Sequence, residues 1–520
     1  MEAPVRNDRR DLSPEPSRLN AARRARDLAR LGDRAQLDLL VIGGGVTGVG
    51  IALDAATRGL RTVLVEGQDL AFGTSRWSSK LAHGGLRYLA SGRVGVARES
   101  AVERGILMTR TAPHLVRPMP QVVPLLPQVG RRERRLIRTG FAAGDTLRAA
   151  VRTPANLLPR SRQADVAETT AMVPGLRTDG LDGSLIAYDG QLIDDARLVV
   201  TIARTAAEHG ATILTRVRAE QADGTGATLV NTLTGESLRV TARAVVNATG
   251  VWADTVDPSI RLRPSRGTHL VFDGAAFGNP IGALTLPVPG EFGRFVFALP
   301  QQDGRVYLGI TDEDAPGPIP DEPQPTDAEI DFLLDTINLA LHGALDREDI
   351  RGQFAGLRPL LDTGGSTADI SRKHAVLTSD TGLITVVGGK LTTYRKMAQD
   401  AVDRAVGANN LDGGPCVTRN LPLLGAPGHP ASTGIDGLPH SLVARYGGIA
   451  AEVAAAGVED PLAPVGDGID ISRAEIAYAF THEGALSASD ALDRRTRLGL
   501  IAADADRARP VVDEIIVVAH

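Results

Sequence analysis

An α/β fold, with an antiparallel sheet as a second layer and a small helical domain at the C-terminus, is what this sequence predicts. Three features predict it. A strand–turn–helix–strand pattern with spaced glycines occupies residues 38–67. Alternating segments at 267–272 and 293–314 read as antiparallel strands, with a turn at Gln302-Asp303-Gly304. A Gly/Pro-rich stretch at 407–440 precedes a tail of short, capped helical segments.

The 520 residues exceed what one hydrophobic core organises, so two or three domains are expected. An apolar fraction of 43% with 23% charged residues is that of a soluble globular chain, and a net charge of −5 makes no case for nucleic acid. One cysteine, Cys416, excludes an internal disulfide framework and a four-cysteine zinc site; it fits a reducing compartment. No metal site is expected. No apolar run approaches the ~20 residues that span a bilayer. The basic extension 1–36 lacks the apolar centre of a signal peptide, so a cytoplasmic location is expected. Its first fifteen or so residues are expected to be loose. From Ser17 it can form a short helix with Leu19, Ala22, Leu28 and Leu31 as apolar positions. This tail is either solvated or a membrane-surface contact.

In "DLLVIGGGVTGVGIALDAATRGLRTVLVEG", Leu39–Ile42 is a continuous apolar run suited to a strand buried on both faces. Gly43, Gly45 and Gly48 follow, then Val46, Ile51, Leu53 and Ala55 at helical spacing, then a second run, Thr62–Val65. Gly43 permits the turn, Gly45 lets a pyrophosphate approach the backbone, and Gly48 allows close helix–strand packing. The helix N-terminus offers unpaired N–H groups to phosphate. Glu66 lies 66 − 48 = 18 residues beyond Gly48, where a carboxylate binds a ribose 2′-hydroxyl and repels a 2′-phosphate. A glycine-rich turn with no ligand is the bland alternative; strand, turn, helix, strand and acid in register argue for a dinucleotide. The fingerprint alone does not separate NAD from FAD.

After Glu66 the chain does not continue as a crossover helix. "GTSRWSSKLAHGGLRYL" is a Gly/Ser/Thr-rich loop that can lie along a cofactor. Together with "VIGGGVTGVGIALDAATRGL", "VVNATGVWAD", "GLRPLL", "SRKHAV" and "GGKLTTYRKMAQDAVD", it resembles the FAD-dependent, quinone-linked glycerol-3-phosphate dehydrogenases, in order and spacing from about Leu19 to Leu500. The resemblance implies an FAD-binding Rossmann-like domain of the glutathione-reductase/D-amino-acid-oxidase type. That domain would be discontinuous (about 37–120, 195–255 and 350–406) and interleaved with a substrate domain (about 121–194 and 256–349). A linker at 407–440 and a helical domain at 441–520 complete the layout.

For non-covalent FAD, the implied contacts are Gly43, Gly45, Val46, Thr47, Gly48 and Glu66 of the fingerprint. Thr74, Ser75, Ser78, Ser79 and Lys80 of the loop, Val217, and Ala248 with Gly250 join them. Gly388, Gly389, Lys390, Leu391 and Thr392 form a second glycine turn, whose following helix N-terminus can stabilise negative charge on the flavin's pyrimidine edge. Thr392 and Thr393 are expected to cap that helix. For the substrate, sn-glycerol 3-phosphate, Arg87 can fork onto phosphate, Tyr88 adds a hydroxyl, and Arg372 and Thr393 join them. Arg358 and Lys390 face the reacting oxygen, and His83 is the candidate base. A capped turn that uses His83 and Arg87 on carbonyls is the alternative for that loop.

Along the middle, 94–112 reads as a helix with Val102, Ile106 and Thr109 on one face. Pro118 and Pro120 predict an extended connection, and "QVVPLLP" a broken strand. Residues 131–142 combine five arginines with Leu136, Ile137 and Phe141, either a solvated face or a contact with anionic lipid on the inner face of the membrane. Asp194 or Asp195 caps a helix carrying Leu198, Ile202 and Thr205, with His209 at its end; Ala244–Val246 is a buried run returning at Asn247–Gly250. Asp312, Glu313 and Asp314 read as a solvated turn. In 441 to about 506, short helices are expected, one opened by a capping box at Ser472 and Glu475.

The implied activity is oxidation of sn-glycerol 3-phosphate to dihydroxyacetone phosphate, with electrons passed to a membrane quinone. An amine or amino-acid oxidase of the same fold, an oxygen-using oxidase of the same substrate, and a non-catalytic dinucleotide-binding regulator are the rivals. A homodimer is left open.

Overall fold

The computed structural model describes residues 16–32, 36–85, 94–291, 293–362 and 373–519. Arg87, Tyr88 and Arg372 lie outside the described residues.

With strands numbered in chain order, the first sheet is built on β1 (Leu37–Ile42) and β2 (Thr62–Val65), which pair in parallel around the helix Val46–Thr57. It runs on from β2 to β7 (Thr212–Leu214), and from β1 to β10 (Ser237–Asn247), β18 (Ile384–Val387) and β17 (Ala375–Thr378). All but the β17 pairing are parallel. The continuous apolar run of β1 is explained by cover on both faces. Leu39 and Val41 pack with the helices Val46–Thr57, Asp195–Glu208 and Tyr394–Asn409. Leu40 and Ile42 pack under the hairpin β8–β9 (Val217–Asp223 and Gly226–Asn231) and against Leu31 of the N-terminal helix.

Among the described residues the second sheet has ten strands. Its long pair is β11 (Leu262–Asp273) against β16 (Gly352–Leu361). β13 (Phe295–Pro300) and β14 (Arg305–Gly309) form the hairpin expected at Gln302-Asp303-Gly304. The helix Asp327–Asn338 closes this core with Leu333 and Ile337 against Leu270 and Phe272. The extended stretch expected at Pro118 and Pro120 is a strand, β4 (Val116–Pro124), paired along its length with β6 (Ser184–Leu192) and ending at Pro124, inside the stretch 121–127 read as a broken strand. Pro118 and Pro120, two apart, leave the same edge without N–H groups. The pairing of that strand with β12 (Ala283–Pro287) begins only at Gln121, beyond both prolines.

Other expectations are corrected. The helix Val94–Ile106 buries Ala97, Ala101 and Ile106, whereas Thr109 is exposed in the π-turn that follows. The basic segment at 131–142 is part of a longer helix, Arg131–Ala150. Its Ile137 and Phe141 pack on Val123, Leu125 and Leu185, so those two side chains cover the sheet; Leu136 is exposed. The helix expected from Ser17 is Ala21–Gly32, and its segment is strapped down: Leu19 exchanges backbone hydrogen bonds with His482 and Gly484, and Arg24 donates to the Thr215 carbonyl at 2.7 Å. The C-terminal domain has the short helices expected over 441–506 and is closed by an 18-residue helix, Ala502–Ala519, most of it beyond that stretch. Capping boxes stand at Ser472–Glu475 and Ser487–Asp490. Among the described residues, no helix is long and apolar enough to cross a membrane, and no group of three acidic, His or Cys residues could hold a metal.

Candidate active site

The fingerprint turn is a close-packed saddle. Gly43 has φ +114°, and a Cβ there would stand 2.6 Å from the Ala248 carbonyl oxygen; a Cβ at Gly48 would stand 1.8 Å from that of Gly43. At Gly45 the nearest atom to a Cβ is the Ser75 hydroxyl, at 3.1 Å. That hydroxyl accepts from the Val46 N–H at 2.9 Å, fastening the loop after Glu66 to the first helical turn, which Thr47 continues. The Glu66 carboxylate accepts from Gly44 N–H at 2.6 Å and Gln68 N–H at 2.8 Å, and burial pushes its pKa up. Val217 N–H donates to the Glu66 carbonyl, so the hairpin starts beside the acid. Ala248 N–H donates to Ile42 O, which brings the 247–250 return alongside the turn. Gly250 has φ +61° and open space beside it.

The second glycine turn joins from the far end of the chain. Gly388 and Gly389 have φ of +74° and +75°, and the 3-10 turn Leu391–Thr393 leads into the helix Tyr394–Asn409. That helix lies on the fingerprint helix: a Cβ at Gly50 would stand 2.9 Å from Tyr394. The expected threonine caps are not formed. The Thr393 hydroxyl exchanges hydrogen bonds with the Lys390 backbone, and the buried Thr392 hydroxyl has no hydrogen-bond partner among the described residues. The open space at Gly250, the backbone approach at Gly45 and the unmatched Thr392 hydroxyl fit a dinucleotide flavin lying across both turns.

The loop 72–85 runs between them. Thr74 donates to the Leu357 carbonyl at 2.6 Å, and Gly356 packs on Trp77, so β16 and its Arg358 are seated on the loop's start. β3 (Leu81–Ala82) lies against the Leu391–Thr393 turn. His83 is half-buried between β3 and Gly84, whose N–H donates to Asp189 at 2.9 Å. A Cβ at Gly84 would stand 2.3 Å from Arg104, which itself pairs with Asp189 at 2.6 Å. Close packing on this ion pair is what the double glycine permits.

Several loop residues assigned to the cofactor turn their side chains elsewhere. Lys80 is fully buried and donates to Asp195 at 2.8 Å and to the Arg76 carbonyl at 2.7 Å. Burial lowers its pKa, while Asp195 opposes the shift. The Ser78 hydroxyl donates to the same carboxylate at 2.7 Å, and Ser79 shares a hydrogen bond of 2.9 Å with His269.

The cations are held by partners the sequence did not disclose. Arg358 donates to Asp312 and Ser265, each at 3.1 Å, and to the Thr311 carbonyl. The reading of Asp312 as part of a solvated turn is therefore corrected; Glu313 and Asp314 are the exposed pair. Lys390 donates to Ser100 at 2.8 Å, Arg395 makes a two-pronged pair with Glu103 at 2.7 Å each, and His374 lies 3.6 Å from Glu99. One face of the helix Val94–Ile106 thus holds the second glycine turn. No local pattern marks these partners, because they lie far away in sequence.

Comparison with known proteins agrees with this geometry. Residues 38–395 match the family described as FAD dependent oxidoreductase, and 416–519 match the C-terminal domain of alpha-glycerophosphate oxidase. Glycerol-3-phosphate dehydrogenase 1 of Mycobacterium tuberculosis is 62% identical over 97% of this chain and 99% of its own length. Glycerol-3-phosphate dehydrogenase SDP6, mitochondrial, of Arabidopsis thaliana is 35% identical over 99% and 88%. The solved glycerol-3-phosphate dehydrogenase of Bacillus halodurans, complexed with FAD, superposes with a TM-score of 0.73 at 28% identity, covering 96% of this chain and 93% of that one. The chain belongs to the FAD-dependent oxidoreductases, in the family of the glycerol-3-phosphate dehydrogenases.

Proposed function

We propose that this chain oxidises sn-glycerol 3-phosphate to dihydroxyacetone phosphate and passes the electrons to a membrane quinone. FAD held across the two glycine turns would supply the two-electron acceptor for the hydride that leaves C2. The observation that carries the reading is the convergence on segment 74–82: the strand of Arg358 is fastened to its start, and the turn of Lys390 lies against its end.

A secondary alcohol is a very weak acid, so negative charge on the C2 oxygen must be stabilised as its proton departs. Arg358 and Lys390 are the cations for that task; such donors are worth ~3–4 kcal/mol each in rate. His83 takes the hydroxyl proton, since an imidazole ordinarily titrates near neutral pH. Arg87, Tyr88 and Arg372 bind the phosphate with Thr393, and a planar guanidinium suits that dianion better than an ammonium does. The exposed Arg131, Arg132, Arg135 and Arg138, with Leu136, form a basic face suited to an anionic bilayer, where the quinone is dissolved.

Turnover with glycerol 3-phosphate tests the reading. A soluble quinone analogue should be reduced as dihydroxyacetone phosphate forms, with little hydrogen peroxide in air. Peroxide formed mole for mole with product would make the enzyme an oxidase instead.

A further inference from the structure

The C-terminal domain carries an arginine-rich segment, 494–497, that the chemistry above does not use. Its side chains reach beyond their own domain. Arg495 is fully buried and forks onto Asp69, with Nη1 on Oδ2 and Nη2 on Oδ1, each at 2.9 Å. Arg494 donates to the same carboxylate at 2.6 Å and to Asp490 at 2.5 Å. Asp490 also accepts from Arg216 at 2.6 Å, and Arg216 reaches Gln68 at 3.1 Å, next to the Glu66 carboxylate. Two residues past Asp69, the Ala71 N–H donates to Gly44 O of the fingerprint turn. Arg497 has φ +62° and lies 3.3 Å from Asp194, whose neighbour Asp195 holds Ser78 and Lys80.

The C-terminal domain thus grips both ends of one segment: 66–71 through Asp69 and Asp490, and 78–80 through Asp194 and Asp195. These carboxylates are buried, and a buried ion pair with one member removed leaves an uncompensated charge that the surroundings must move to relieve. The surroundings here are the loop between the fingerprint acid and His83.

We propose that Arg494, Arg495 and Arg497 are positioning residues for FAD: the C-terminal domain is a clamp that holds segment 66–80 in its cofactor-binding shape. The inference rests on the assignment of 66–80 to the FAD cradle.

The test measures FAD affinity by titrating stripped full-length protein, together with the visible spectrum of the bound flavin. The variants are Arg495→Gln, Arg495→Lys and a control, Arg445→Gln. Arg445 is a largely buried arginine of the C-terminal domain, but its partners Glu475 and Asp470 lie within that domain. Couplings between separated groups typically run to about 5–150-fold. Arg495→Gln should raise the dissociation constant for FAD at least about tenfold and alter the flavin bands. Arg495→Lys, which keeps the charge but not the fork, should fall between it and the parent. Arg445→Gln should lower the melting temperature and leave FAD affinity unchanged. Equal FAD affinity in Arg495→Gln and the parent, or equal loss in Arg445→Gln, overturns the clamp. If Arg495→Gln does not fold, the less deeply buried member of the cluster, Arg497→Gln, is read against the same control with the same expectation. A parent chain that binds no FAD overturns the cradle itself, a different result from either.

Discussion

Arg358 on β16 donates to Asp312, 46 positions earlier in the chain, at 3.1 Å, and Ser265 joins both through its hydroxyl. The carboxylate fixes the guanidinium's direction. Arg358→Met should therefore cost ~10²–10³ in kcat, as loss of a donor to a developing oxyanion does. Asp312→Asn keeps the shape and should cost less, about tenfold, through looser orientation. Both variants should retain FAD. Steady-state rates and flavin content check this.

His83→Gln should lose ~10²–10⁴ in kcat and the acid limb of its pH profile. Normal rate with an unchanged profile would place the base elsewhere.

The fingerprint glycines should differ in their tolerance. A Cβ at Gly48 meets a backbone oxygen at 1.8 Å, whereas at Gly45 it meets a serine hydroxyl at 3.1 Å that can rotate. Gly48→Ala should abolish FAD binding and destabilise the fold. Gly45→Ala should fold normally and weaken FAD binding, because the methyl occupies the approach of the pyrophosphate. Melting curves with and without FAD separate the two.

The first βαβ unit was legible because its signals are local: an apolar run, glycines at fixed offsets and an acid at the end of the next strand. The capping box at Ser472 was legible for the same reason. Asp312, Ser100 and Asp195 as partners of Arg358, Lys390 and Lys80 were not, since nothing in a window around an arginine or lysine names a carboxylate or hydroxyl dozens to hundreds of positions away. The pairing of β4 was hidden by its prolines, whose tolerance depends on where the neighbouring strand starts. The inward face of the helix Arg131–Ala150 was hidden because Ile137 and Phe141 would mark a lipid face and a protein face alike.

Stability should fall on mild acidification. Burial pushes His114 down to about 4, and burial with nearby Lys80 and Arg358 holds His269 well below its ordinary value. The unfolded chain takes up these protons near pH ~6.5, so the stabilisation is complete above that pH and is lost as pH falls toward the folded values. Asp69, held down to about 2 by Arg495 and Arg494 against its desolvation, adds loss only below the unfolded carboxylate value of ~3.9. The melting temperature should drop between pH 7.5 and 5, and His114→Asn should flatten part of that slope. An unchanged slope in His114→Asn would contradict the assignment of a neutral buried imidazole there.

The most direct measurement mixes the purified yellow protein with sn-glycerol 3-phosphate under strictly anaerobic conditions and follows the flavin absorbance near its visible maximum. Bleaching that is stoichiometric with dihydroxyacetone phosphate, and slowed when C2 carries deuterium, is the predicted result. A flavin that stays oxidised with this substrate, or is bleached instead by an amino acid, would contradict the proposal that the Arg358–Lys390 site oxidises a phosphorylated alcohol.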